Sequence, residues 1–407
     1  MKIALLTMGT RGDVEPFAVL GRAMKQRGHH VTLASAKNFG SLADSYGLNF
    51  SPVNADFYAI VNSPEGKKMM SNPFSARKHF DKLIYPMVYE SLHTFYEVAK
   101  QHDKVLFHVK AMADYFVEHM PDKLIRTNVV PAIEPTSEFV NPVFSTFHLP
   151  SFLYRFSYKL SDLGLEMMSK PVNKFRKDVG ITGKYKKPEL PSIYGISPSF
   201  LPEPADYPSK SHFTGFRMDS YASELSEELM EFLDDGEQPL LLTFGSMPFE
   251  SKINLPKVIE NIAEVYKIKI VVVKGWGLGN VDQLVQNEKI KVIESAPYDL
   301  LLPRVKAVIH HGGIGTIAAC LKAGKPFLTC PVLYPLGDQH FWGTIALRKG
   351  VGLKPLPLKK MTEHLLVKEV DDLLHNKNLY KCSEDIKDKI KNENGVERAI
   401  ELVENGF

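Results

Sequence analysis

Between residues 223 and 330 the chain alternates short, unbroken apolar runs with stretches of helical spacing, and this alternation limits the possible folds more than any other feature. The runs at 240–244, 268–273, 290–293 and 307–310 are too short for helices and too evenly apolar for strands with one wet face. They read as strands buried on both sides of a parallel sheet. Parallel strands need crossovers, and helical stretches near 223–233 and 255–266 supply them. The first 35 residues follow the same logic: a strand at 2–7, a glycine-containing loop, a helix at 14–27 and a strand at 30–34. Phe17, Leu20, Ala23 and Met24 share one face of that helix, and Gly28 stands where a left-handed C-cap is wanted. The expected class is α/β, with two Rossmann-like domains whose parallel sheets face each other across a cleft.

A chain of 407 residues that is 44% hydrophobic has material for two or three domains. Its cysteines, Cys320, Cys330 and Cys382, are odd in number and lack metal-type spacing, which argues against a disulfide framework or structural zinc and for a reducing, cytoplasmic setting. A net charge of +3 with scattered basic residues makes nucleic acid a poor partner. The apolar run at 3–6 is too short for a signal sequence, and no segment is long enough to span a bilayer.

Three prolines at 201–211 mark the end of the first half. The expected division is an acceptor-binding domain at 1–205, a linker at 206–223, a nucleotide-sugar-binding domain at 224–385, and a helical segment at 386–407 that could cross back to the first domain. From 50 to 150 the pattern loosens: 76–100 reads as helix and 129–147 as largely irregular, the kind of segment that carries function more often than scaffold. Leu149, Phe152, Leu153, Phe156, Leu160, Leu163 and Met167 follow helical spacing, with basic residues off the stripe. Such a helix either packs its stripe on the domain or offers a greasy lip to a lipid-like acceptor or an anionic membrane.

Four loops follow apolar strands. The first, 308–316, runs through His310, His311, Gly312, Gly313, Ile314, Gly315 and Thr316 into a helix. Glycines admit a ligand close to backbone N–H groups and the helix start adds positive charge, which suits a diphosphate; a glycine turn serving only tight packing is the plainer reading. The loop is neither a Walker motif nor a GxGxxG. The second, Phe244-Gly245-Ser246, ends a strand and could face the same crevice, or be an ordinary turn. In the third, 331–342, Asp338 and Gln339 are side chains of the kind that bind sugar hydroxyls, although Asp338 also suits a helix N-cap. The fourth, 7–16, carries Asp13, which reads as a helix N-cap, as a base for an acceptor hydroxyl, or as both.

In this order and spacing the motifs resemble the GT-B glycosyltransferases, especially those that glucosylate sterols, macrolides and glycopeptide aglycones. The likeness rests on TMGTRGDVEP at 7–16, SPSFLPEPADYPSKSHFTGF at 197–216, TFGSMP at 243–248 and the block from Ala296 to Gly343; Thr10 and Ile314 replace a usual Ser and Ala. The resemblance implies that His311 and the backbone of Gly312, Gly313, Gly315 and Thr316 hold the diphosphate, with Ser246 opposite. It puts Asp338 and Gln339 at the sugar, Ser295, Ala296 and Pro297 with Trp276 by the base, and Asp13 as general base. Arg11, Pro135, Thr136 and Phe139 are expected at the acceptor. It also implies inversion without a metal or a resident cofactor, UDP-glucose or a TDP-deoxysugar as co-substrate, and a small lipophilic acceptor. A sugar-nucleotide epimerase, or a binding protein without transfer activity, is the alternative.

Overall fold

The first half of the chain builds a seven-stranded, wholly parallel sheet in the order β3-β2-β1-β4-β5-β6-β7. Its strands are β1 (Lys2–Leu6), β2 (His30–Ala36), β3 (Asn49–Val53), β4 (Lys104–Phe107), β5 (Leu124–Asn128), β6 (Ser192–Tyr194) and β7 (Ser211–Phe213). The second half builds a five-stranded parallel sheet, β10-β9-β8-β11-β12, from β8 (Leu240–Thr243), β9 (Ile270–Val273), β10 (Ile290–Ile293), β11 (Ala307–His310) and β12 (Phe327–Thr329). In this computed structural model the described residues are 1–55, 63, 73–218, 224–245, 253–274, 281, 284 and 287–407, with only the backbone described at 73–80, 165 and 167.

Both sheets grow outward from a central pair, β1 with β4 and β8 with β11, and the strand order reverses at each pair. At such a reversal the flanking loops diverge and leave a crevice off the carboxyl ends of the strands, where α/β proteins bind ligands. The apolar runs that announced β1, β8, β9 and β11 are buried on both faces; β4 and β5 lie in the stretch whose pattern looked loose.

Helix α1 (Arg11–Gln26) packs on β1 so closely that a Cβ at Gly21 would lie 2.7 Å from Leu5 Cδ1. It starts earlier than its apolar pattern suggested. Thr10 is the N-cap, and Asp13 is the third helical residue, whose carboxylate reaches back to the Thr10 N–H at 2.8 Å. The N-cap reading of Asp13 is therefore corrected to the other arm of a capping box. Helix α2 (Gly40–Ser45) leads to β3, and α3 (Pro73–Lys100) spans the stretch read as helix.

A second correction concerns α4 (Tyr154–Leu165), followed by α5 (Ser169–Asp178). The face of α4 that packs inward carries Ser157 and Tyr158, not the apolar stripe. Ser157 Oγ accepts the Asn141 N–H at 2.8 Å and donates to the Tyr154 carbonyl, so a hydroxyl anchors the helix to the irregular segment beneath it. Phe152, Phe156, Leu160 and Leu163 point to solvent, at 81%, 56%, 42% and 56% exposure.

In the second half, α6 (Glu227–Asp234), α7 (Leu255–Val265), α8 (Tyr298–Leu301), α9 (Ile314–Ala323), α10 (Gln339–Arg348), α11 (Glu363–His375) and α12 (Lys377–Lys391) complete the layers. The halves share one apolar core along one side: Phe139 meets Phe341 at 5.4 Å between ring centroids, and Phe200 stacks on the fully buried Trp342 at 6.2 Å. The last helix, α13 (Gly395–Asn405), packs on α1 of the first half, burying Ala399, Ile400, Leu402 and Val403 with Ile3 and Leu5. Arg27 binds Glu397 and Glu404 across that contact. The crossing is possible because two glycines meet. A Cβ at Gly395 would lie 2.6 Å from the Gly215 carbonyl carbon and 2.7 Å from the Phe216 oxygen, and Gly215 itself has φ +114°.

Candidate active site

The loop after β1 and the loop after β4 meet at the first reversal point, and they bring Asp13, His108 and Lys110 together. Lys110 Nζ donates to both oxygens of Asp13, at 2.8 and 2.7 Å. Oδ2 also accepts from the Thr10 N–H at 2.8 Å and the Thr10 hydroxyl at 3.2 Å, so it is fully engaged. Oδ1 has Lys110 and, at 3.7 Å, His108 Nε2. Gly9 leaves the space: a Cβ there would overlap Asp13 Oδ2 at 2.2 Å.

The electrostatics follow from these contacts. Burial alone would push the Asp13 carboxyl up, but Lys110, His108 and the Thr10 N–H outweigh it and hold it below the usual carboxylate range. Asp13 is ionised at neutral pH. Burial takes His108 down to about 4, so its ring is neutral; its Nδ1 accepts the Lys110 N–H at 3.3 Å, which leaves Nε2–H directed at Asp13. Neither His108 nor Lys110 was singled out in the sequence. Their signal is the short apolar run at 104–107, and only the sheet order sets it beside β1.

At the second reversal point the loop after β11 turns into α9. Gly313 is the N-cap of α9. The N–H groups of Gly313, Ile314, Gly315 and Thr316 precede the first helical bond, Ile317 N to Gly313 O at 3.1 Å, and have no partner among the described residues. The N–H of Gly312 differs: it is donated to His310 Nδ1 at 3.0 Å, so this glycine shapes the loop and has no backbone donor left for an anion. Its φ of +92° and a Gln339 carbonyl 3.0 Å from where its Cβ would be explain why a glycine stands there.

The His311 ring lies between two glycines. A Cβ at Gly313 would be 2.5 Å from its Nε2, and one at Gly245, after β8, 2.8 Å from its Cε1. His311 Nδ1 is buried with no protein partner, and burial takes the ring down to about 4. The ring nitrogen turned toward Gly313 is Nε2, and with the four open N–H groups of the helix start it forms a cradle that an anion would complete, while Nδ1 stays buried and unpaired on the Gly245 side.

The loop before α10 lies within electrostatic range of the first reversal point. Asp338, on the loop before α10, is raised chiefly by burial, with Lys110 opposing and Asp13 adding to the effect. Its Oδ2 accepts the Trp342 indole N–H at 3.1 Å; it holds the N-cap position of α10 but forms no side-chain cap. Gln339 is buried, and its Oε1 accepts the Val332 and Leu333 N–H groups at 2.8 and 2.9 Å, so the amide oxygen braces the loop. Arg11 forms a bidentate pair with Glu15 and faces Tyr298, whose hydroxyl meets Thr243 Oγ1 at 2.9 Å.

The remaining candidates divide. Pro297 is the N-cap of α8, and Ala296 packs on the shared core. Pro135 is half-buried. Thr136 is fully buried with its hydroxyl donated to Asp206 at 2.5 Å, and Phe139 is spent on the contact between the halves. Ser246 and Trp276 lie outside the described residues.

Residues 3–108 match the glycosyltransferase family 28 N-terminal domain. Over 98% of its length the chain is 30% identical to a sterol 3-beta-glucosyltransferase of Arabidopsis thaliana, and it spans 64% of that longer protein. It is 28% identical over 99% of its length to the O-mycaminosyltylonolide 6-deoxyallosyltransferase of Streptomyces fradiae, covering 97% of that enzyme. Among solved structures, the glycotransferase of kitacinnamycin superposes with a TM-score of 0.71 at 17% identity, covering 99% of this chain and 98% of that one. A Streptomyces sp. SF2575 glycosyltransferase complexed with thymidine diphosphate gives 0.64 at 16%, covering 100% of both. The chain thus has the GT-B fold, its residues 3–108 match a family 28 N-terminal domain, and over nearly its whole length it is similar to a sterol 3-beta-glucosyltransferase and to a deoxyallosyltransferase.

Proposed function

We propose that the protein transfers a hexosyl group from a nucleoside-diphosphate sugar to a hydroxyl of a lipophilic small molecule, with inversion at the anomeric carbon. The observation that carries the proposal is an ionised Asp13 at one reversal point and, at the other, an open helix start with His311 Nε2 turned toward it. The diphosphate binds the N–H groups of Gly313, Ile314, Gly315 and Thr316 and His311, and Asp338 meets the sugar. Ala296 and Pro297 lie toward the base, and Arg11 and Pro135 toward the acceptor.

The acceptor hydroxyl gives its proton to Asp13 Oδ1, the oxygen not held by Thr10. Its oxygen bonds to the anomeric carbon from the face opposite the nucleotide, and the bond from that carbon to the phosphate oxygen breaks. The nucleoside diphosphate leaves with the electron pair. The helix start and the cleft's donors meet that departing charge, so the reaction needs no metal ion. Lys110 must loosen its hold on Oδ1 for the base to act. His108 Nε2–H then keeps the carboxylate oriented.

Nucleotide release from UDP-glucose, with and without hydroxylated sterols and macrolides, tests the reading. Acceptor-dependent release that persists in EDTA supports it; conversion of the sugar without acceptor indicates an epimerase. A TDP-deoxysugar is the second donor to try, because the Streptomyces fradiae relative is named for transferring a deoxyallosyl group and one structural neighbour holds thymidine diphosphate.

A further inference from the structure

Three hydrogen bonds tie the irregular segment of the first half to the loop that carries Asp338, and they bracket that residue on both sides. The Thr146 hydroxyl donates to the Pro335 carbonyl at 2.7 Å. The Gly337 N–H donates to the Val143 carbonyl at 3.1 Å. Ser145 Oγ is hydrogen-bonded to Nδ1 of His340, in the first turn of α10, at 3.3 Å. The loop is thus held from the other half just before and just after its carboxylate.

The segment can act as a rigid hold because it is itself anchored. Asn141 is fully buried: its Oδ1 accepts the Val143 N–H at 3.1 Å, its Nδ2 donates to the Ala132 carbonyl at 3.1 Å, and its backbone N–H reaches Ser157 of α4. The turn at Pro142–Phe144 is thereby fixed to the first half. On the other side of the contact Gly337 has φ +140°, and a Cβ there would lie 2.7 Å from Leu333 Cβ, so a glycine is needed where the loop meets Val143. Gln339 braces the loop from within and sets its shape. The bonds from Val143, Ser145 and Thr146 set where that shape stands relative to the half that carries Asp13. The apolar contact of Phe139 with Phe341 brings the halves together without fixing this register.

We propose that Ser145 and Thr146 are positioning residues for sugar transfer: through the loop they hold Asp338 in register with the acceptor half, so that the donor sugar is aligned with the base. The proposal rests on the reading of Asp338 as the residue that meets the sugar. A misplacement of about 1 Å in such an alignment costs on the order of a hundredfold in rate, which gives hydrogen bonds remote from the reacting atoms their effect.

Calorimetry with UDP and with UDP-glucose on variants of the full chain tests it; TDP and TDP-glucose replace them if the wild type binds those more tightly. The readout is the ratio of sugar-nucleotide affinity to nucleotide affinity, which isolates the sugar. Thr146→Val should lower the ratio about two- to tenfold, the worth of one hydrogen bond, with nucleotide affinity unchanged, and Thr146→Ser, which keeps the hydroxyl, should restore it. Ser145→Ala added to Thr146→Val should lower it further. Asp338→Asn should also lower the ratio, and adding Thr146→Val to that variant should cost nothing more, because the hydroxyl acts through the carboxylate. An Asp338→Asn ratio equal to that of the wild type removes the reading of Asp338, and the proposal with it. If Asp338→Asn lowers the ratio, the proposal alone is overturned by any of three results: an unchanged ratio in Thr146→Val, losses that add when Thr146→Val and Asp338→Asn are combined, or a fall in nucleotide affinity that matches the fall for the sugar nucleotide.

Discussion

Replacing Asp13 with asparagine separates the chemical role of this side chain from its structural one. The amide oxygen of the introduced side chain can still accept the Thr10 N–H, so the first turn of α1 keeps its cap. The charge pair with Lys110 is lost, but Lys110 is 51% exposed, so that loss is no more than about 1 kcal/mol. Losing a carboxylate from the helix start costs about 0.3–1 kcal/mol. The sum, at most about 2 kcal/mol, leaves a protein of ordinary stability, ~5–15 kcal/mol, almost wholly folded. A general base contributes about 100- to 10,000-fold in rate, equivalent to ~2.7–5.5 kcal/mol of barrier. Asp13→Asn should therefore lower kcat by at least about a hundredfold while nucleotide affinity by calorimetry and the melting temperature change little. The assay is acceptor-dependent nucleotide release on both proteins. A loss below about tenfold, or a loss matched by weaker donor binding, refutes the assignment of Asp13 as base.

Lys110→Met removes the main partner that holds Asp13 below the usual carboxylate range, so the acid limb of kcat/KM should move to higher pH; an unmoved limb would show that the pair does not set the base's ionisation. The same lowered pKa gives a stability term present above the unfolded carboxylate range and lost as pH falls through the folded value, and denaturant titrations should show Lys110→Met less sensitive to acid there. Gly313→Ala would put a Cβ 2.5 Å from His311 Nε2, so nucleotide affinity should fall severalfold by calorimetry with the fold intact; unchanged affinity counts against the cradle. Gly395→Ala sets a Cβ against backbone at 2.6–2.7 Å where nothing flexible can yield, and should cost about 1–3 kcal/mol in denaturant unfolding.

What the sequence disclosed and what it hid follow from the range of the interactions. Parallel strands buried on both faces leave a local mark, so β1, β2, β8, β9 and β11 were legible, as was the glycine loop after β11. The order of strands leaves none. His108 and Lys110 became part of the site only because β4 pairs with β1, across a sequence gap that no local pattern bridges. Periodicity showed a stripe on α4 but could not say whether anything covers it. The inward face turned out to be Ser157 and Tyr158, held by a hydrogen bond from Asn141. Asp13 shows the limit at single-residue scale, since an acid in the first turn and an acid at the N-cap differ by three positions and the apolar pattern alone mis-set the helix start.

The decisive experiment is a crystal structure with a bound nucleoside diphosphate. Phosphate oxygens are expected within hydrogen-bond distance of the Gly313, Gly315 and Thr316 N–H groups and of His311, with Asp13 across the same cavity. A diphosphate bound elsewhere, or a cavity that Asp13 does not share, would contradict both the cradle and the base.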